Sequence, residues 1–168
     1  MISDSFIHTL KIDFGNIVVS LFVLAVGFIA VVTSAFRLKN KNFSLLNFGL
    51  FSLLYGLRWL TEIPTVREIV TFPVNFAYFH GVLTYLVVIP FFALLLNIFG
   101  EGLYKSIRFL FYSAIVYAIF AIAFDLLSPG PLTDSGINRA VVILWGLVGI
   151  ANLIFIKRKN DSEITVLR

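Results

Sequence analysis

Five stretches of this sequence run for 16 residues or more without a charged side chain: residues 14–36, 42–57, 69–100, 109–124 and 140–156. A helix rises about 1.5 Å per residue and the hydrocarbon core of a bilayer is about 30 Å thick, so one crossing takes about 20 apolar residues. The first run, 23 residues long, crosses as it stands. The third, 32 residues long, is too long for one crossing; Pro73 near its start predicts a loop through Asn75 and then a helix from Phe76 to Phe99. The two 16-residue runs reach only about 24 Å. They must carry Arg58 or Asp125 partly into the membrane at one end, or recruit weakly polar residues at the other. Composition agrees: 60% of residues are hydrophobic and 13% charged, where soluble domains average about 45–50% and about 25%. The expected fold is an all-α, polytopic membrane bundle with spans at 16–36, 43–61, 76–99, 106–127 and 138–157. Residues 1–15 are expected as an extracytoplasmic tail and 158–168 as a charged cytoplasmic tail.

Orientation follows the placement of lysine and arginine near the spans. Arg37, Lys39, Lys41, Lys105, Arg108, Lys157, Arg158, Lys159 and Arg168 fall on one side, nine of the thirteen; Lys11, Arg58, Arg67 and Arg139 fall on the other. Acidic residues lean the opposite way. The N-terminus is therefore expected outside and the C-terminus in the cytoplasm. The basic cluster follows the first run, which is also longer than a signal-peptide core, so that run is expected to be a span. The longest polar connections, 62–75 and 128–137, both fall on the outer side, and Ser128-Pro129-Gly130-Pro131 reads as a turn.

Within lipid, helices associate through small residues and side-chain hydrogen bonds. At 100° per residue, Asn16, Ser20, Gly27 and Ser34 share one face of the first span. Ser44, Asn47, Tyr55, Arg58 and Glu62 share one on the second, and Asn138, Trp145, Gly149 and Asn152 one on the fifth. These stripes are expected to point into a closed bundle, either as plain interhelical contacts or as the lining of a pocket. Ionisable groups at membrane depth are costly and mark candidate sites. Arg58, Glu62, His80 and Asp125 are such groups. Arg58 and Glu62 can pair at i,i+4, Thr84 one turn after His80 extends a polar face, and Asp125 is placed to meet Arg58 or Arg139 across the bundle. Arg58, Glu62, Asp125, Tyr55 and His80 are thus expected as one cluster, either a ligand entrance or a latch between helices. Pro90 is expected to kink the third span.

Several chemistries lack their residues. There is no cysteine, only His8 and His80 could offer imidazole, and no HExxH or GxSxG motif occurs. Gly100-Glu101-Gly102 is a two-glycine turn between spans, short of a phosphate loop. The basic residues cluster at the expected cytoplasmic face with no aromatics interleaved on a groove, which argues against nucleic acid. No enzyme activity, cofactor or metal is expected.

The stretch Phe48-Gly49-Leu50-Phe51-Ser52-Leu53-Leu54-Tyr55-Gly56-Leu57-Arg58-Trp59-Leu60, a short outer connection, and then Tyr85-Leu86-Val87-Val88-Ile89-Pro90-Phe91-Phe92 carry a resemblance. With the order of spans across residues 17–157, they resemble the membrane sensor region of bacterial seven-transmembrane receptors with diverse intracellular signalling modules. The resemblance implies a bacterial inner-membrane protein that passes an outer-side or intramembrane stimulus to a cytoplasmic kinase, cyclase or phosphatase. Five spans are counted where that family has seven, and no output domain follows Arg168, so the implied role is that of an input module. A second copy of the chain is an alternative partner. A small transporter or transporter subunit and a structural membrane partner are the competing classes. Reporter fusions after Lys41 and after Lys159 are expected to read cytoplasm, and one after Pro131 to read the outside; a cytoplasmic signal at Pro131 would reverse the orientation.

Overall fold

The structure, a computed structural model, describes residues 4–36, 43–70, 76–127, 132 and 136–166, leaving aside the side chains of 4–6, 153 and 156–166. The expected loop at Pro73–Asn75, the Ser128–Pro131 turn and the basic segment at Arg37–Lys41 lie outside the described residues. The described chain is helical throughout, with no strand. Its helices are α1 (Asp4–Phe36), α2 (Phe43–Glu62), α3 (Pro64–Ile69), α4 (Phe76–Phe99), α5 (Ser106–Leu127) and α6 (Gly136–Val166), with a 3-10 turn at Leu103–Lys105 before α5. Four segments are long and apolar enough to cross a membrane: Ile7–Phe36, Phe43–Glu62, Phe76–Phe99 and Leu103–Leu127. The apolar part of α6, Gly136–Asn152, is shorter. The outward faces suit lipid: on α5, Val116 and Ile119 are 67% and 66% exposed, which water would penalise and hydrocarbon does not.

Three boundaries differ from the sequence expectation. Residues 4–15 are the first turns of α1 rather than a separate tail, because Asp13 is buried and bonded to α3. Its Oδ2 accepts the backbone N–H of Thr65 at 3.1 Å and the Thr65 hydroxyl at 2.7 Å. Part of the expected 62–75 connection is helix: Pro64 fits the first position of α3, where no N–H is needed. Arg67 donates from Nε to the Thr61 carbonyl at 2.6 Å and so caps the end of α2. At the other end, α6 continues as helix through most of the expected 158–168 tail.

The long helices pack in chain order, α1 on α2, α2 on α4 and α4 on α5, while α6 touches α5 only lightly. The α1–α2 contact brings backbones together. A Cβ on Gly27 would lie 2.7 Å from the Leu53 nitrogen and 2.9 Å from the Gly49 oxygen. One on Gly49 would lie 2.8 Å from the Val31 nitrogen and 2.9 Å from the Gly27 oxygen. The expected α1 stripe is inward at Ser20, Gly27 and Ser34, whereas Asn16 is exposed. On α2 the face turned to α1 is Gly49, Ser52 and Gly56, about 130° round the helix from the expected polar stripe. Small residues win that face because only they permit close approach. The polar stripe turns towards α4 instead.

Between α4 and α5, Tyr85 and Phe92 seat against an alanine face, Ala114, Ala118 and Ala121, with Trp145 of α6 closing the lower cluster. Pro90 is buried within α4, which runs through it as one helix. The turn into α5 has Gly100 at φ 72° and Gly102 at φ 75°, left-handed backbone that glycine adopts without strain. On α6 the expected stripe is buried at Asn138, Trp145 and Asn152, but Gly149 faces open space. Gly27→Leu is therefore expected to destabilise the protein in detergent by about 1–3 kcal/mol through overpacking against backbone. Gly149→Leu is expected to leave the melting temperature nearly unchanged; equal losses in both variants would contradict the packing described.

Candidate functional site

The end of the bundle where α2 stops and α4 and α6 begin carries most of its polar side chains. On α2, Arg58, Thr61 and Glu62 are one turn apart; on α4, His80 and Thr84 are. Arg58 donates from Nη2 to Glu62 Oε1 at 2.7 Å and from Nε to Thr84 Oγ1 at 2.9 Å, tying α2 to α4. The ion pair is 26% and 42% exposed, so screening limits it to about 0.3–0.5 kcal/mol. Thr61 spends its proton on the Arg58 carbonyl at 2.6 Å. His80 Nδ1, 2.9 Å from the Thr61 oxygen, must then be the donor of that pair. The other ring nitrogen, Nε2, is 3.4 Å from Thr84 Oγ1 and 3.7 Å from Glu62 Oε1.

Asp125 belongs to a different set of partners. It is buried near the end of α5, where its Oδ2 accepts the Tyr85 hydroxyl at 2.9 Å and its Oδ1 the backbone N–H of Leu132 at 2.7 Å. Among the described residues no ion pair links it to Arg58 or Arg139. A buried carboxylate needs donors more than it needs a formal counter-charge, and this one has a phenol and an amide. The expected cluster is thus two clusters, separated by the adjacent residues Thr84 and Tyr85.

Between them opens a cleft of about 640 Å³. Tyr55 and Arg58 of α2, Thr84 and Tyr85 of α4, Tyr117 of α5, and Asn138 and Arg139 of α6 line its polar end. Val87, Val88, Phe91, Val142 and Trp145 line the rest. Of the five expected site residues, Tyr55 and Arg58 line the cleft. Glu62 and His80 stand behind Arg58 and Thr84, and Asp125 stands behind Tyr85. Tyr117 donates to Asn138 Oδ1 at 2.9 Å, joining α5 to α6 at the rim. Tyr55 stacks on Phe51 and meets Trp59 edge-on, with centroids 5.7 and 5.9 Å away. A second cavity of about 410 Å³ shares Val88, Phe91, Val142 and Trp145 with the first and continues to Leu95 and Gly149.

Sequence reasoning passed over Asp13, Tyr85, Tyr117 and Arg139 as site residues. Asp13 carried one signal, a carboxylate at the edge of an apolar run ahead of a Pro-Thr helix start. Tyr85 and Tyr117 carried none, since tyrosine in an apolar span reads as packing. Among the described residues no three His, Asp or Glu side chains converge as a metal site would need. The arrangement can bind and orient a ligand with an apolar body and an anionic end. Comparison with known proteins finds no matching family model, no matching curated protein and no matching solved structure.

Two double-mutant cycles separate the clusters. Tyr85→Phe and Asp125→Asn, measured by unfolding in detergent, are expected to show an interaction energy of about 0.5–3 kcal/mol because the two share a bond. Arg58→Ala and Asp125→Asn are expected to add within about 0.5 kcal/mol. Strong coupling in the second cycle would restore the single cluster.

Proposed function

We propose that this chain is a multi-pass inner-membrane signal-input module with five spans, its N-terminus outside. In this reading it is similar in role to the sensor region of bacterial seven-transmembrane receptors. An outer-side or intramembrane stimulus acts at the cleft, and α6 passes the change to a cytoplasmic kinase, cyclase or phosphatase partner. The single observation that carries the reading is the position of α6. Its first turns wall the polar end of the cleft through Asn138 and Arg139, its backbone comes close to the bundle at few positions among the described residues, and it continues unbroken to Val166. A helix held by side chains more than by close backbone approach can take alternative placements within a few kcal/mol, so a ligand that differs in affinity between them can shift it. A rigid helix transmits displacement along its length. The α1–α2 pair, locked by backbone contact, is the fixed frame against which α6 moves.

The absence of cysteine makes the motion measurable. Spin labels on cysteines placed at Phe43 of α2 and Ile154 of α6, both exposed, report the separation of the two helices. Val142→Trp, which wedges the cleft, is expected to shift that distance distribution by several ångströms, while Val142→Ala leaves it in place. An unshifted distribution in the wedged variant would mean that α6 is fixed, and the input reading would fall.

A further inference from the structure

The chemistry of the cleft selects a class of ligand, and the argument rests on the membrane-input reading above. Two arginines from different helices stand at its polar end. Arg58 has two of its nitrogens committed, Nε to Thr84 and Nη2 to Glu62, and Nη1 has no hydrogen-bond partner among the described residues. Arg139 is exposed and has no carboxylate partner among the described residues. Among the described residues Glu62 is the one carboxylate bonded to this pair, while the charge of Asp125, behind Tyr85, is taken up by the Tyr85 hydroxyl and the Leu132 amide.

Beyond the arginines the wall is apolar. The lining along α4 runs from Thr84 to Leu95, which at 1.5 Å per residue is about 16 Å. That is half of the roughly 30 Å hydrocarbon core, the depth of one leaflet. Val88, Phe91, Val142 and Trp145 line both cavities, so the two adjoin over that depth. The structure therefore combines two arginines at a membrane boundary with an apolar trough one leaflet long. A guanidinium fork matches two oxygens of a phosphate.

We propose that the cleft seats an anionic phospholipid from the leaflet at the Arg58–Arg139 end, the outer leaflet in the orientation given above. Its phosphate lies on Arg58 and Arg139, and one acyl chain lies along α4 between Phe91 and Trp145. Bound there, the lipid fills the space between α4 and α6 that the protein itself leaves unpacked.

The test uses the purified full chain in neutral detergent, equilibrated with equal amounts of phosphatidylglycerol and phosphatidylcholine of matched acyl chains, with the retained lipid read by native mass spectrometry. Phosphatidylglycerol is expected to be retained preferentially, and Arg139→Gln to lower that preference about fivefold. Gly146→Phe puts a ring into the lower groove at a position where an added Cβ meets nothing within 4 Å. It is expected to lower retention of both lipids with the melting temperature unchanged. Equal retention of the two lipids, a preference indifferent to Arg139→Gln, or full displacement of phosphatidylglycerol by an equal concentration of oleate would overturn the proposal. The Phe43–Ile154 distance is read separately, so the lipid site and the input role fail independently.

Discussion

Between two helices in hydrocarbon there is no water to expel, so attraction must come from close contact and from side-chain hydrogen bonds. The approach of α1 to α2 at Gly27 and Gly49 supplies the first. Each glycine sits where a Cβ would strike the other helix's backbone. With Ser20, Ser52 and Gly56 along the same seam, the two helices meet over several turns. That pair frees the opposite side of α2 for other work. Its polar stripe then turns towards α4, where Arg58 finds Thr84.

The hydrogen bonds follow a common plan. Irregular backbone near a membrane leaves N–H groups without helical partners, and each must be satisfied. Three buried side-chain oxygens take on that task. Asp13 of α1 accepts from Thr65 at the start of α3, and Asp125 of α5 accepts from Leu132 in the connection that follows. Asn152 of α6 accepts the Leu103 N–H at 2.8 Å and the Ser106 hydroxyl at 2.7 Å at the start of α5. Its own amide is anchored on the Val148 carbonyl at 2.7 Å, and Gly102 makes room for it. Each staple ties a turn to a helix, so the ends of the bundle are held where its lipid-facing middle offers little specificity.

The consequence is uneven packing. The first four long segments are joined by wide faces, and α6 is held by Trp145, Asn152 and the Tyr117–Asn138 bond. A cleft results on the side where α6 stands off from α2 and α4. Its walls are largely aromatic and aliphatic, with Phe51, Phe91 and Trp145 among them.

How much of this was legible in the sequence depends on the dimension of the constraint. Charge-free runs bound helix length, and the expected spans 43–61, 76–99 and 106–127 match α2, α4 and α5 to within a residue, because the cost of charge in hydrocarbon acts along the chain. The i,i+4 pair of Arg58 and Glu62 was legible for the same reason. The start of α1 was not, since it is secured by a bond from Asp13 to a residue 52 positions away. Nor could the α2 sequence say which of its two faces meets α1, as both carry polar or small residues and only the neighbour's shape decides. Arg58 and Asp125 end their helices at similar depth, which suggested a pair; the rotation of each helix sends them to Glu62 and to Tyr85 instead. The sequence by itself determined the helices, their lengths and their hydrophobic character, through one-dimensional transfer energies. Tertiary structure alone decided how each helix is rotated, and with it the partners of every buried polar group and the existence of the cleft.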